Sequence, residues 1–337
     1  MKQILLFLLI SMHIVSCGDP VSPGDDYAIG LIGGRGGFGD AGFNAGARRA
    51  VEEFSSENGV PAYYEDLSTG EDAMIACNRL IHAGCSIIFA PSMETYAALT
   101  SLAKVNPQVK FVLIDNNDPA YLKNVKSMTF RVDQPSFQLG YLSAWWAYSK
   151  SPAKPRVGWI GGMNIPSIRI FTDAFTAGVN YYSERNGINT RISQGFTNSF
   201  SDPALGEQIA NLMLNSGASV IFPVAGRSSI GAYKATAAQS KWAIGADQDK
   251  YESGEWYSDI FISSCIKDIG KGIKKIAMDA LNGQFSSDLF VGDLSNGGVS
   301  IAPYHKYDTK VPDSIRSQLS EIREMIIDGN LGTGWKN

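Results

Sequence analysis

The sequence predicts an α/β protein of two lobes, each a parallel β-sheet flanked by helices. Three observations predict it. Short β-rich apolar runs alternate with helical patterns along the chain, and strands separated by helices assemble into parallel sheets covered on both faces. After residues 125–133 the alternation starts again, so the second half repeats the architecture of the first without residue-level identity. At 337 residues the chain also exceeds the roughly 250 to 300 residues over which a single core grows.

In chain order, Lys2 and the apolar run at 4–10, leading into "HIVSCGD", have the pattern of a secretory signal. The run is shorter than the about 20 residues a membrane-spanning helix needs. Cys17, between Ser16 and Gly18, resembles the cysteine of a bacterial lipobox. Residues 1–17 are therefore expected to be a lipoprotein signal, with Cys17 lipidated as the first mature residue, and the Pro- and Gly-rich stretch 18–26 a tether. The first half then reads as strand "YAIGLIG", a helix from Phe43 through Val51 and Phe54, strand "VPAYYED" and a helix over 72–82. Strand "SIIFAPS", a helix over 96–105 and strands "KFVLIDN" and "VKSMTFRVD" follow. The second half begins with helix "PSFQLGYLSAWWAYS", strand "PRVGWIGG", a helix over 166–182 and strand "NTRISQGF". It goes on with a helix over 203–215, strand "SVIFPVAG", a helix over 230–240 and strand "KWAIGAD".

With 29 Lys and Arg against 33 Asp and Glu, and no basic patch interleaved with aromatics, nucleic acid is excluded as a partner. Outside the signal the cysteines are Cys77, Cys85 and Cys265, an odd number that argues against a disulfide framework. Cys77, His82 and Cys85 lie close in sequence but lack the fourth ligand of a tetrahedral metal site, and read as small buried hydrophobes instead. Beyond His13 of the signal, only His82 and His305 remain, neither beside a nucleophile. No G-x-S-x-G elbow, G-x-x-x-x-G-K-[ST] loop or H-E-x-x-H helix occurs. The expectation is a protein that is not an enzyme and uses neither metal nor cofactor.

Ligands of open parallel sheets bind beyond the carboxyl ends of the strands. The residues there are 33–44, Glu65 and Asp66, Ser92, 115–117, 161–166, 196–200, 226–229 and 247–249. They are rich in Asp, Asn, Ser, Gly and Phe, which suits a polar, ring-bearing small molecule. Gly34, Gly36 and Gly39 also meet the G-x-G-x-x-G spacing, with Glu65 and Asp66 at the end of the next strand, as in a dinucleotide fold. In that fold the helix starts inside the glycine motif so that its amides meet a pyrophosphate. Here Gly39 and Gly42 delay the helix to about Phe43, and Asp40 brings a carboxylate where the pyrophosphate would lie.

Seven motifs, "GDAGFNAG", "DQPSFQLGYLSAWWA", "IGGMNIPSIRIFTDAFTAGV", "NSFSDPALGEQIA", "VIFPVAG", "WAIGADQD" and "SSCIKDIGKGI", together resemble the basic membrane protein family of bacterial substrate-binding lipoproteins. Its best understood members are purine nucleoside receptors of spirochaetes. The resemblance spans residues 28–329 and implies a type I periplasmic binding protein: two Rossmann-like lobes joined by three crossovers, with the ligand cleft between them. It implies a first lobe of 27–131 plus 265–285 and a second of 132–261 plus 287–330. It further implies a monomer anchored by lipid on the outer side of the cell membrane, periplasmic or extracellular, handing a nucleoside to an ABC permease. A surface adhesin or antigen of the same fold is the alternative, followed by a nicotinamide-dependent enzyme.

Position by position, Phe43 and Phe200 match aromatics on either face of the base, Asp247 matches a carboxylate taking both ribose hydroxyls, and Lys267 a lysine donating to the same ribose. Gly226 matches a glycine whose backbone nears the sugar, Asp115 a carboxylate near the base, and Asn44 is a neighbouring candidate. Phe43 is also in register with Ala47, Ala50 and Phe54, so its alternative is core packing, and Asp40 is an alternative helix cap. One departure stands out. Purine receptors of the family carry an acidic residue shortly after the first strand, where this chain has Gly33, Gly34 and Arg35, which leaves purine against pyrimidine open.

Overall fold

The computed structural model describes residues 27–336 apart from 41, 119–120 and 253–256. The signal and tether expected at 1–17 and 18–26, Cys17 among them, lie outside the described residues. The first half runs β1 (Ile29–Gly33), α1 (Phe43–Asn58), β2 (Ala62–Asp66), α2 (Ala73–His82), β3 (Ile87–Pro91), α3 (Ser92–Val105), β4 (Lys110–Ile114) and β5 (Val125–Phe130). The second runs α4 (Asp133–Lys150), β6 (Arg156–Gly161), α5 (Pro166–Asn186), β7 (Arg191–Phe196), α6 (Pro203–Asn215), β8 (Val220–Val224), α7 (Ser228–Ala238), β9 (Trp242–Asp247) and β10 (Phe261–Lys267). The chain closes with α8 (Ile269–Leu281), β11 (Phe290–Gly292), β12 (Val299–Ile301) and α9 (Asp313–Ile327).

These elements form two six-stranded sheets, ordered β11-β5-β4-β3-β1-β2 and β12-β10-β9-β8-β6-β7. Every neighbouring pair is parallel except β10 and β12. Central strands such as β1, β3 and β8 are buried at all five positions, as expected of sheets covered on both sides. Helix starts follow local chemistry. The Asp72 carboxylate accepts from the Met74 amide at 2.8 Å ahead of α2, and Asp202 accepts from Ala204 at 3.0 Å where Pro203 opens α6. Helix α4 is buried on almost every side between the second sheet, α5 and α9. Gly140 of α4 and Gly178 of α5 face each other's backbones so closely that a Cβ on either would collide with the carbonyl of Phe175 or Phe137.

The chain passes between the sheets after β5, after β10 and between β11 and β12. Two expected boundaries therefore move. Residues 261–267 are β10, paired in parallel with β9, so the return to the first lobe begins at α8 rather than at 265. Residues 290–292 extend the first sheet beside β5, so the chain leaves that lobe only after 292 rather than at 287. Helices α3 and α7 also start earlier than their hydrophobic patterns suggested, at Ser92 and Ser228.

Candidate ligand-binding site

In each sheet the strand order reverses once, between β1 and β3 and between β6 and β8, and loops at such a reversal splay apart to leave a crevice. The crevices of the two sheets face each other across one cleft. It encloses a cavity of about 130 Å³ bordered by Phe43, Asn44, Asp115, Phe200, Gly226, Asp247 and Lys267, all seven of the ligand residues expected from the sequence.

The loop after β1 is built around Asp40. Its buried carboxylate accepts from the backbone amides of Gly42 (2.9 Å), Asn44 (2.9 Å) and Ala45 (3.0 Å) and from the Asn44 side-chain amide (3.0 Å). The Asn44 side-chain oxygen in turn accepts from the Gly34 amide at 2.8 Å. Asn44 thus borders the cavity while its own polar atoms hold the loop. The same bonds remove the dinucleotide reading, because the amides a pyrophosphate would need are taken by Asp40. The acids at the end of the next strand are engaged too: Glu65 pairs with Arg79, and Asp66 caps the turn at Ser68, 2.8 Å away.

Phe43 opens α1 half-buried, bordering the cleft and also packing against the hydrophobic core. Phe200, from the opposite lobe, borders the same cavity and packs its ring over Gly162. Gly226, directly beyond β8, has φ +53°, and a Cβ there would lie 2.9 Å from the Phe200 carbonyl, so the backbone reaches the cavity wall only as glycine. Asp115 and Asp247, at the ends of β4 and β9, also adopt left-handed backbones, with φ +61° and +68°. Such turns are uncommon outside glycine, although Asp tolerates them better than most residues.

Charge is concentrated where the lobes meet. Lys267 Nζ lies 2.5 Å from Asp115 Oδ2 in an ion pair between the sheets, and 4.7 Å from the centre of the Phe43 ring. The lysine side chain is 3% exposed and the Asp115 side chain 23%. Burial raises the pKa of Asp247 above the ordinary carboxylate value; Lys267 and Lys250 oppose the rise, and Asp40 and Asp115 add to it. Gln248 spans the lobes as well, donating to the Gly42 carbonyl at 2.6 Å and accepting from Arg49 at 3.2 Å. His305 braces this loop from behind through Asp249 at 2.7 Å, with Tyr251 stacked on its ring.

Sequence reasoning missed several residues of the cavity wall, chiefly Glu94, Tyr233 and Lys250. Glu94 was findable: it stands three residues beyond the end of β3, in the first turn of a helix whose start the pattern placed too late. Away from the cleft, Cys77 and Cys85 are buried free thiols whose pKa values burial pushes up to about 12, while His82 is exposed, so the three are not arranged as metal ligands.

A family model described as ABC transporter substrate-binding protein PnrA-like matches residues 32–330. The chain belongs to that family. Among relatives, the ABC transporter nucleoside-binding protein BmpA of Lactococcus lactis subsp. cremoris is 27% identical, covering 91% of this chain and 88% of the relative. The CD4+ T-cell-stimulating antigen of Listeria monocytogenes is 24% identical, covering 91% and 87%. An ABC transporter solute-binding protein from Aeropyrum pernix K1 shares the fold, with a TM-score of 0.82 at 23% identity over 90% of this chain and 92% of that one. As a PnrA-like protein the chain is a substrate-binding component of an ABC transporter and not an enzyme; it takes a ligand and works with a membrane permease.

Proposed function

We propose that this PnrA-like protein is a monomeric, lipid-anchored nucleoside receptor outside the cytoplasmic membrane. The base would lie between the rings of Phe43 and Phe200, and the ribose hydroxyls would donate to Asp247 and accept from Lys267 near the Gly226 backbone. The observation carrying this reading is the meeting, in one cleft, of two aromatics from opposite lobes with a half-buried carboxylate and a buried lysine. Aromatic stacking holds any flat base at about 1 to 3 kcal/mol per base, and an ionised carboxylate suits a pair of hydroxyls because it only accepts. The relative named as nucleoside-binding supports the choice of ligand. Lipidation at Cys17 rests on the sequence alone.

Closure of the lobes would bury base and ribose, with Gln248 holding the closed form for the permease, a hinge transition between packed domains. The test is a thermal-shift panel of nucleosides, free bases, pentoses and NAD, since a ligand of the native state raises the melting temperature. Nucleosides alone should stabilise the protein. Stabilisation by pentoses or by NAD instead would refute the reading. No response to any of them, together with protease accessibility on intact cells, would favour the adhesin or antigen alternative.

A further inference from the structure

Glu94 is a carboxylate for which stacking and ribose binding have no use. It sits in the first turn of α3, directly beyond β3, and borders the cleft next to Gly34 and Arg35 beyond β1. A Cβ added to Gly34 would lie 3.1 Å from Glu94 Oε1, so the bare backbone at 34 is what admits the carboxylate to this wall. The Arg35 amide donates to it at a long 3.4 Å. Burial raises its pKa, with the Asp115 carboxylate adding to the rise and the Arg35 charge opposing it. Arg35 itself is exposed and borders the same wall. A carboxylate and an arginine therefore border the same wall at the reversal point of the first sheet, while Asp247 and Lys267 come from the second.

We propose that Glu94, with Arg35, reads the hydrogen-bonding edge of the bound base and selects nucleosides whose ring carries an N–H beside a carbonyl over those with a bare ring nitrogen beside an amino group. This rests on the nucleoside reading above. Hypoxanthine, guanine and uracil present the first pattern, adenine and cytosine the second. In the proposed placement the Glu94 carboxylate faces the ring nitrogen and Arg35 the exocyclic group; the carboxylate, which only accepts, then pairs with the ring N–H of the first group and meets a lone pair in the second. Arginine only donates, and it satisfies the neighbouring carbonyl, as it does on guanine in nucleic acids. Forcing acceptor against acceptor leaves both unsatisfied, which corresponds to about a tenfold to hundredfold loss of affinity.

The experiment is titration calorimetry of inosine against adenosine, and of uridine against cytidine, pairs matched in size so that stacking cancels. The parent should favour inosine over adenosine and uridine over cytidine by about tenfold or more. In Glu94→Gln the amide can donate as well as accept, and both ratios should fall toward one. A parent without preference, or ratios unchanged in E94Q, would overturn the proposal while leaving nucleoside binding intact. If none of the four binds the parent, the nucleoside reading fails and this one with it. Should E94Q fold poorly by its melting curve, Glu94→Ala carries the same test, with both ratios again expected to collapse.

Discussion

Replacing Lys267 with methionine separates what the Lys267–Asp115 pair does for the fold from what it does for a ligand. The lysine side chain is 3% exposed and its partner 23%, so K267M keeps the aliphatic stem but strands a mostly desolvated carboxylate. Breaking a fully buried pair costs about 3 to 5 kcal/mol, and the partial opening of Asp115 to the cleft reduces this to about 2 to 3 kcal/mol. The neighbouring Asp247 loses a cation that now opposes the rise in its pKa, so in K267M it takes up a proton more readily. Loss of a charged hydrogen bond to the ligand, roughly 1.5 to 3 kcal/mol, predicts about a tenfold to hundredfold drop in nucleoside affinity. Denaturant melts of the ligand-free protein and calorimetry with inosine measure the two effects separately. The double variant K267M/D115N removes the stranded charge, so it should regain most of the stability while binding stays weak. Unchanged stability in K267M would refute the electrostatic account of the pair, and unchanged affinity would remove Lys267 from the site.

Asp247→Ala should cost about tenfold to hundredfold in affinity for nucleosides and leave weak binding of free bases unchanged. Because burial raises the Asp247 pKa, this group gains its proton earlier on acidification than an ordinary carboxylate, so affinity followed by titration should begin to fall above the usual carboxylate range. Phe43→Leu and Phe200→Leu should each lose about 1 to 2 kcal/mol of affinity with little change in ligand-free melting; lower stability at constant affinity would return both rings to the core. In Gly46→Ala the new Cβ would stand 2.8 Å from Gln248 Nε2 and push that side chain off the Gly42 carbonyl. Helix α1 itself should gain up to about 1 kcal/mol, so the melting temperature holds or rises while affinity drops severalfold. Cys17→Ala should leave a precursor that takes up no labelled palmitate and does not partition into detergent.

What could be read in the sequence follows from how each element is buried. Strands covered on both faces, such as "IGLIG" and "IIFAP", are continuous apolar runs that periodicity cannot hide. Strand β10 escaped because Ser263 and Ser264 interrupt its apolar run, although both are buried, Ser263 donating to the Ala302 carbonyl at 2.7 Å and Ser264 accepting from the Lys250 amide at 3.1 Å. Strands β11 and β12, three residues each, are too short to carry a period. Along the cavity wall, Phe43, Phe200, Asp115 and Asp247 were legible from strand ends and motifs. The ion pair of Lys267 with Asp115 was not, because it joins residues 152 apart in the chain. Glu94 was lost to a helix start misplaced by four residues, from 92 to 96, since Ser92 and its neighbours give no apolar signal of a first turn.

The first lobe, although begun first, is completed only after most of the second lobe has been made. Its sheet takes β11 as an edge strand beside β5, and α8 lies against α1, so residues 269–292 must arrive before that lobe can close its core. A chain emerging from its N-terminus therefore holds β1 to β5 with an uncovered edge and an unpartnered α1 while the whole second lobe is still to come. Contacts across such sequence distances slow folding, and the exposed edge meanwhile invites pairing with other chains. Truncation anywhere before 292 would damage the N-terminal lobe more than the C-terminal sequence it removes would suggest.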